Sequence, residues 1–541
     1  MESKSERSPK KLKQLNHSLL VAIGILLSRI FGLVRERIFA HYLGNSWSAD
    51  AFRAAMRIPN LLQNLLGEGV LSASFIPIYA QMLAAKGGGS DLEVQKKADR
   101  FAVSLLALLS ASVFVLVAIG IAASSLLVDV LAPGFDGEKR ELTILLVQIF
   151  FPATGLLVLS AWCLGVLNSH QKFFMSYVSP VFWNLSIIFG LWYFGGRSQS
   201  EIATKAAWFT VLGGFIQVLV QAPSIVMLIK SWSLELKFAR GMPLRRAVTS
   251  FVPAVSSRGV VQLSAFVDSI LASFLPSGAV SVLAYVQTLY MLPISLFGMS
   301  VTAAELPQLS KLNHLTSSGA LSEEARQSMH SRIQRSLARI HFFVIPCAIV
   351  FLILGDSVVG LIFKTGSFTQ TDVSVVWFVL IGQSIGLLAA TRARLLSSTF
   401  FALQDTVTPF RQSIVRMIVS AAASAALVFG AVQVIHWQTS QAAIVIALAS
   451  SLGAWVEFHL LRNQLQKILG PLRFWTKGDR EVLLSASVAA ATLSMMQTRM
   501  TELLPHMFVA PLVGLALFSG IHYLILVGIF KRPWMVFRLS H

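Results

Sequence analysis

Apolar residues along this chain gather into long blocks separated by short polar stretches, and the blocks match the length of a bilayer-crossing helix. Such a helix takes about 20 residues to cover about 30 Å of hydrocarbon. About fourteen blocks qualify, near 17–43, 51–83, 100–125, 142–167, 176–195, 204–230, 246–275, 279–306, 334–356, 372–402, 411–433, 438–462, 480–498 and 506–530. Met1 to Gln14 is a polar, basic tail. The apolar run behind it contains Arg29 and lacks a small-residue cleavage site, so it reads as an uncleaved first helix. The pattern predicts an all-α polytopic membrane protein.

Composition agrees. By length alone 541 residues would suggest several soluble domains. A soluble domain carries about a quarter charged residues, whereas this chain has 13% charged and 55% hydrophobic, with a mean hydropathy of +0.70. Disordered, collagen-like and disulfide-scaffold classes are excluded by the apolar content, the 35 glycines and the two cysteines. Cys163 and Cys347 sit in apolar stretches with no CxxC pattern and no ligand-spaced histidine. They read as small core residues, and no metal site is expected.

Lys and Arg number 44 against 25 Asp and Glu, a net charge of +19. In a soluble protein that excess would raise nucleic acid as a partner. With the N-terminus inside, however, about 29 basic residues fall on inner segments and about 6 on outer ones, as the positive-inside rule requires. The excess is topology. Both termini are expected in the cytoplasm, and no nucleic acid is expected as a partner.

An internal repeat sets the organisation. Ile38 to Leu43 is echoed by Ile270 to Leu275, and each copy is followed by a short turn and a helix with a mid-span proline, Pro59 or Pro293. The offset of about six helices makes the copies parallel, which predicts two parallel six-helix bundles with two C-terminal helices appended. Parallel repeats of this kind place a substrate path at the interface of the halves. The expected domains are a cytoplasmic tail 1–16, bundles 17–235 and 236–463, and a segment 464–541 holding the last two helices and a short tail.

Subtracting loop residues leaves about nine arginines inside the spans: Arg29, Arg35, Arg37, Arg53, Arg57, Arg258, Arg392, Arg394 and Arg416. Each costs about 2.5–3.5 kcal/mol at mid-bilayer on insertion scales. Arg416, near the inner end of its span, is expected to snorkel to the surface. In the second span Arg53, Arg57, Asn60, Asn64 and Glu68 fall within about 80° of one face at 100° per residue. A polar stripe cannot face lipid, so it lines a wet cavity or meets another helix. The deep acids are few, Glu68, Asp268 and Glu457. The balance favours an anionic substrate, and arginine's planar fork suits a phosphate or diphosphate. Enzyme readings lack support: no HExxH, GxSxG or P-loop is present, and no paired carboxylates on an inner loop could hold Mg²⁺.

On these residues the sequence resembles the MurJ (MviN) family of lipid II flippases, within the multidrug/oligosaccharidyl-lipid/polysaccharide exporter (MOP) superfamily. Ser28-Arg29-Ile30-Phe31-Gly32-Leu33-Val34-Arg35-Glu36 is similar to the family's SRxxGxxRD/E signature. The likeness continues through Ala49-Asp50-Ala51-Phe52, Arg57-Ile58-Pro59-Asn60-Leu61-Leu62, Gly67-Glu68-Gly69 and Phe75-Ile76-Pro77, then at Ala132 to Phe135, Leu306 to Ser310, Thr365 to Phe368 and Asp405 to Pro409.

The resemblance implies a transporter of the bacterial cytoplasmic (inner) membrane. By alternating access it would move the undecaprenyl-diphosphate-linked peptidoglycan precursor from the inner to the outer leaflet, among membrane lipids and with cell-wall synthesis enzymes as partners. It implies cavity roles for Ser28, Arg29 and Arg35, joined by Arg57, Asn60, Asn64 and Glu68 from the stripe. Glu36 and Asp50 would close an outer gate by pairing with nearby arginines. Two positions depart from the family pattern: Gln63 and the Gln287-Thr288 pair stand where many members carry arginine, and Arg258 is a candidate replacement. No resident cofactor is implied. Na⁺ or H⁺ is the candidate coupling ion, with Asp268 as its site or, alternatively, the partner of an arginine. Export of another lipid-linked oligosaccharide and a non-transporting scaffold of cell-wall synthesis are the alternatives; the short tail of about eleven residues after the last span speaks against a scaffold.

Overall fold

The computed structural model describes the backbone of residues 9–66, 68–84, 91–233, 266–313, 322–432, 437, 440–503 and 509–530. Among them all regular structure is helical, apart from an isolated bridge between Thr365 and Phe368. The chain divides into two compact units, Met1–Phe266 and Val267–His541. The expected boundary after residue 235 falls outside the described residues.

The first unit holds α1 (Pro9–Leu43), α2 (Trp47–Leu66), α3 (Glu68–Ala84), α4 (Asp91–Ala122), α5 (Ser124–Leu131), α6 (Gly137–Ser169), α7 (Phe173–Tyr193) and α8 (Gln199–Leu228). In the second unit 266–273 forms α9. It is followed by α10 (Ala279–Pro293), α11 (Met299–Asn313), α12 (Glu323–Ile353), α13 (Gly355–Phe363), α14 (Gln370–Ser384), α15 (Leu387–Ala402), α16 (Val407–Ala425), α17 (Ile444–Leu469), α18 (Lys477–Leu503) and α19 (Val509–Leu524). A helix or helix pair stands at each predicted span, the seventh being described only from residue 266.

Nine helices among the described residues are long and apolar enough to cross a membrane, or ten counting the pair α14–α15, which is bent by 45°.

Pro293 cannot donate a helical hydrogen bond, and a π turn at Ile294–Gly298 carries the chain from α10 into α11. The repeat is visible in the packing of each unit taken alone. Phe39, Ala40 and Leu43 are buried in the first unit, and the matching Leu271, Ala272 and Leu275 are buried in the second.

The predicted second span, 51–83, is covered by α2 and α3, with residue 67 between them outside the described residues.

Within the first unit, α6 is central, packing on α2, α3, α4 and α8, while α7 packs on α1 and α8. Where α3, α4 and α6 meet, Phe75, Phe101 and Trp162 form a buried cluster, and the Trp162 indole donates to the Ala102 carbonyl at 3.1 Å. Buried polar side chains link three helices. Gln217 of α8 donates to Ser160 Oγ of α6 at 2.8 Å, Ser160 donates to Gln221 Oε1 at 3.0 Å, and Gln221 donates to Ser179 Oγ of α7 at 2.7 Å. With no water in the hydrocarbon, such groups must satisfy one another.

In the second unit α17 packs on α14, α15 and α16, and α12 packs on α15 and α18. Gly470, at φ 83°, follows the last residue of α17 in a conformation that favours glycine. The start of α15 lies so close to α17 that a Cβ built on Gly386 would meet Ser451 Cα at 2.8 Å and its Oγ at 2.7 Å. Gly386→Ala is expected to lower the melting midpoint in detergent, since overpacking costs about 1–3 kcal/mol. Gly520, with open space around it, is the control: Gly520→Ala should leave the midpoint unchanged or raise it.

Candidate functional site

The charges of the first unit converge where α1 and α2 face each other. Glu36 is 5% exposed, and both of its oxygens are taken. Arg35 Nη2 donates to Oε1 at 2.7 Å, Arg53 Nη1 donates to Oε1 at 3.2 Å, and Arg53 Nη2 donates to Oε2. Aromatic faces complete the cluster: the Arg35 guanidinium lies 5.0 Å from the centre of a Trp183 ring on α7, and that of Arg53 lies 4.0 Å from Phe39. Two guanidiniums thus converge on one carboxylate.

Asp50, fully buried near the start of α2, accepts from Lys139 Nζ at 2.7 Å, and that ammonium sits 3.9 Å from the Phe135 ring. A lysine of the following hairpin holds Asp50 here, where an arginine had been expected. On the same hairpin Arg140 donates to both oxygens of Asp129 at 2.8 and 3.1 Å. The hydrogen bond and charge of Arg140 hold the Asp129 carboxyl below its usual range.

The remaining expected positions divide by exposure. Arg29 and Asn60 are exposed, whereas Ser28 and Arg57 are half-buried. The side chains of Asn64 and Glu68, and all of Arg258, lie outside the described residues. Toward the ends of α3, α4, α6 and α8, Tyr79 donates to Asp99 Oδ1 at 3.2 Å and lies 3.0 Å from His170 Nε2. Lys230 N donates to the other Asp99 oxygen at 2.8 Å.

The second unit holds two charge clusters. In the first, Glu457 of α17 accepts from Ser413 Oγ at 2.9 Å and from Arg416 Nη1 at 3.0 Å, both on α16. Arg416, expected to snorkel to the surface, pairs with Glu457 on the neighbouring helix. Asp268 of α9 accepts from Ser450 Oγ at 3.3 Å and lies within electrostatic reach of Arg416.

The second cluster was not foreseen. Arg392 of α15 is wholly buried. Its Nε donates to His341 Nε2 at 2.8 Å and its Nη2 to the Phe474 carbonyl at 3.0 Å, with Trp475 and Phe458 rings 4.9 and 5.3 Å away. An arginine only donates, so His341 Nε2 must accept, and the ring proton sits on Nδ1, 2.9 Å from Asp479 Oδ1. Asp479 also accepts from Thr476 N at 2.6 Å and Thr476 Oγ1 at 2.8 Å, while its own N–H donates back to Thr476 Oγ1 at 3.3 Å. That reciprocal cap starts α18, and the Thr476–Asp479 spacing was the available sequence signal.

Among the described residues the chain is all-helical, with arginine clusters carried on its apolar helices and stacked against aromatic rings. Comparison with known proteins agrees. The family model described as "Lipid II flippase MurJ" matches residues 39–535. This chain belongs to that family. The matched segment starts just after Ser28 to Glu36, whose likeness to the family signature therefore stands on those residues alone.

Like other members, it has curated relatives of similar length. It is 30% identical over 413 residues to the lipid II flippase MurJ of Burkholderia cenocepacia, covering 75% of this chain and 77% of that one. It is 31% identical over 403 residues to a probable lipid II flippase MurJ of Rhizobium tropici, covering 73% and 72%. In fold it is similar to a lipid II flippase MurJ solved in an inward closed conformation, with a TM-score of 0.74 at 22% identity, covering 95% and 99% of the two chains. An inward-facing multidrug resistance MATE family transporter of the MOP superfamily follows at a TM-score of 0.61 and 17% identity, covering 84% and 98%.

Proposed function

We propose that this chain flips lipid II from the inner to the outer leaflet of the bacterial cytoplasmic membrane by alternating access, using its intramembrane arginines to hold the diphosphate. Membership of the family makes it a lipid II flippase, a multi-pass transporter and not an enzyme. One observation of the structure supports the finer reading: Arg35 and Arg53 both donate to the buried Glu36, so guanidinium groups are concentrated where α1 and α2 meet. Guanidinium charge within a span is favourable only with an anion or water beside it, and arginine's fork matches phosphate oxygens.

In this reading Ser28, Arg29, Arg35, Arg57, Asn60, Asn64, Glu68 and Arg258 contact the head group. Glu36 and Asp50 hold the outer ends of α1 and α2 in a closed state. Asp268, which accepts from Ser450 Oγ, serves the coupling ion, Na⁺ or H⁺. Both termini face the cytoplasm, as the inner excess of basic residues supports. Cell-wall synthesis enzymes are the partners that would take up the flipped precursor.

The test is growth rescue in a bacterium depleted of its own lipid II flippase, with membrane insertion verified. Wild-type chain is expected to rescue, whereas Arg29→Ala and Arg35→Ala should each lose rescue while remaining in the membrane. Well-inserted wild-type protein that gives no rescue would count against lipid II and move the reading to another lipid-linked glycan. Asp268→Asn is expected to abolish the dependence of flipping in proteoliposomes on an imposed Na⁺ or proton gradient, and a gradient response equal to wild type would remove Asp268 from that role.

A further inference from the structure

Helix α15 places two arginines two residues apart and uses them in opposite ways. Arg392 is wholly buried and spends its donors on His341 and the Phe474 carbonyl. Arg394, about 200° further round the helix, is exposed, although nearly every other residue of Leu387–Ala402 is buried. The open positions Arg394, Ser397 and Phe401 are spaced by three and four residues, so they form one narrow stripe on an otherwise enclosed helix.

The surroundings of Arg394 are short of negative charge. No ion pair among the described residues includes it. The charged groups within its electrostatic reach are Arg416, a like charge, and Glu457, with the Tyr290 phenol of α10 beside them. Glu457 is already engaged, one oxygen by Ser413 and the other by Arg416. The carboxylate of Asp268 acts on Arg416. Arg416 is thus the compensated guanidinium of the pair, and Arg394 is the surplus one.

An uncompensated arginine mid-span is costly and persists where it meets an anion or a water-filled recess. Among the described residues no hydrogen bond takes up its five donors, which form a fork that fits two phosphate oxygens at once, and the neighbouring Arg416 adds attraction for any anion that arrives. We propose that Arg394, backed by Arg416, is an anion-binding point of the second unit that takes a phosphate of the substrate's diphosphate. The identity of that ligand rests on the function proposed above; the anion site itself does not.

Hydrogen exchange on the full-length chain in detergent, with inorganic pyrophosphate as the probe, tests the site directly. Pyrophosphate is expected to slow exchange in residues 387–402 and 407–425 of the wild type, with at least a tenfold weaker apparent affinity for that protection in Arg394→Gln and an intermediate value in Arg394→Lys. Arg335→Gln, an exposed arginine of α12, should match wild type. The melting midpoint of Arg394→Gln should equal wild type, since the side chain makes no ion pair. No protection of 387–402 in the wild type, or equal protection in Arg394→Gln, would overturn the proposal and leave Arg394 as a side chain reaching the lipid headgroups. Growth rescue read in parallel separates the two ideas. Rescue without pyrophosphate protection sinks only this site, and protection without rescue sinks only the lipid II reading.

Discussion

Glu36→Gln is expected to remove most of the folded protein. The substitution keeps the shape of the side chain and deletes the one negative charge that Arg35 and Arg53 share. Two guanidiniums would then face each other in a site where Glu36 itself is 5% exposed. Breaking a buried pair by removing one partner costs about 3–5 kcal/mol, because the remaining charge stays desolvated and unpaired. Here two guanidiniums lose that carboxylate at once. The expected result is a large fall in membrane protein level and in the detergent melting midpoint.

The double variant Glu36→Gln/Arg53→Met should recover much of both, since a buried ion pair replaced by apolar groups of similar volume is often neutral. It should still fail to rescue flippase-depleted cells, because Arg35 would have lost the carboxylate that orients it. A double variant as unstable as the single one would show that the cluster is held by something other than charge compensation. Full rescue by the double variant would show that the orientation of Arg35 is unimportant.

Asp479→Ala is expected to have a comparable effect at the other end of the molecule's charge inventory. It removes the acceptor of His341 Nδ1–H and the nearest counter-charge of the wholly buried Arg392, and also the cap of α18. Loss of a helix cap alone costs about 0.5–2 kcal/mol, whereas orphaning a buried charge costs about 3–5 kcal/mol. The two contributions are separable. Thr476→Ala removes the hydroxyl of the cap and leaves Asp479 beside His341, so it should lower the melting midpoint only modestly. Asp479→Ala should lower it several times further, and Asp479→Ala/Arg392→Met should regain the difference. Equal effects of Thr476→Ala and Asp479→Ala would mean that the buried chain from Arg392 through His341 contributes little.

These clusters show which parts of the molecule were legible in one dimension. The helical class and the placement of the spans follow from apolar block length, a local property that each segment carries by itself. The surplus of intramembrane arginine over acid, and hence the preference for an anion, was also readable by counting. So was the turn after Leu43, where the chain reaches Gly44 at φ 54°.

What no local pattern could supply is the pairing of charges. Glu36 finds Arg53 at 17 positions along the chain, Arg416 finds Glu457 at 41, and Asp50 finds Lys139 at 89. Each pair joins different helices, and the rotation and depth of one helix against another are set by packing of whole faces, not by the spacing of residues within either helix. The same reason hid Arg392, His341 and Asp479, which come from α15, α12 and α18 and look unremarkable one at a time. The sequence alone thus determined the class of the protein, its spans, and the sign of the charge it carries into the membrane, because hydropathy and composition act segment by segment. Only the tertiary structure decided which arginines are neutralised and which, like Arg29 and Arg394, are left exposed without an ion pair among the described residues, because in a low-dielectric interior that depends on a few ångströms of separation between helices.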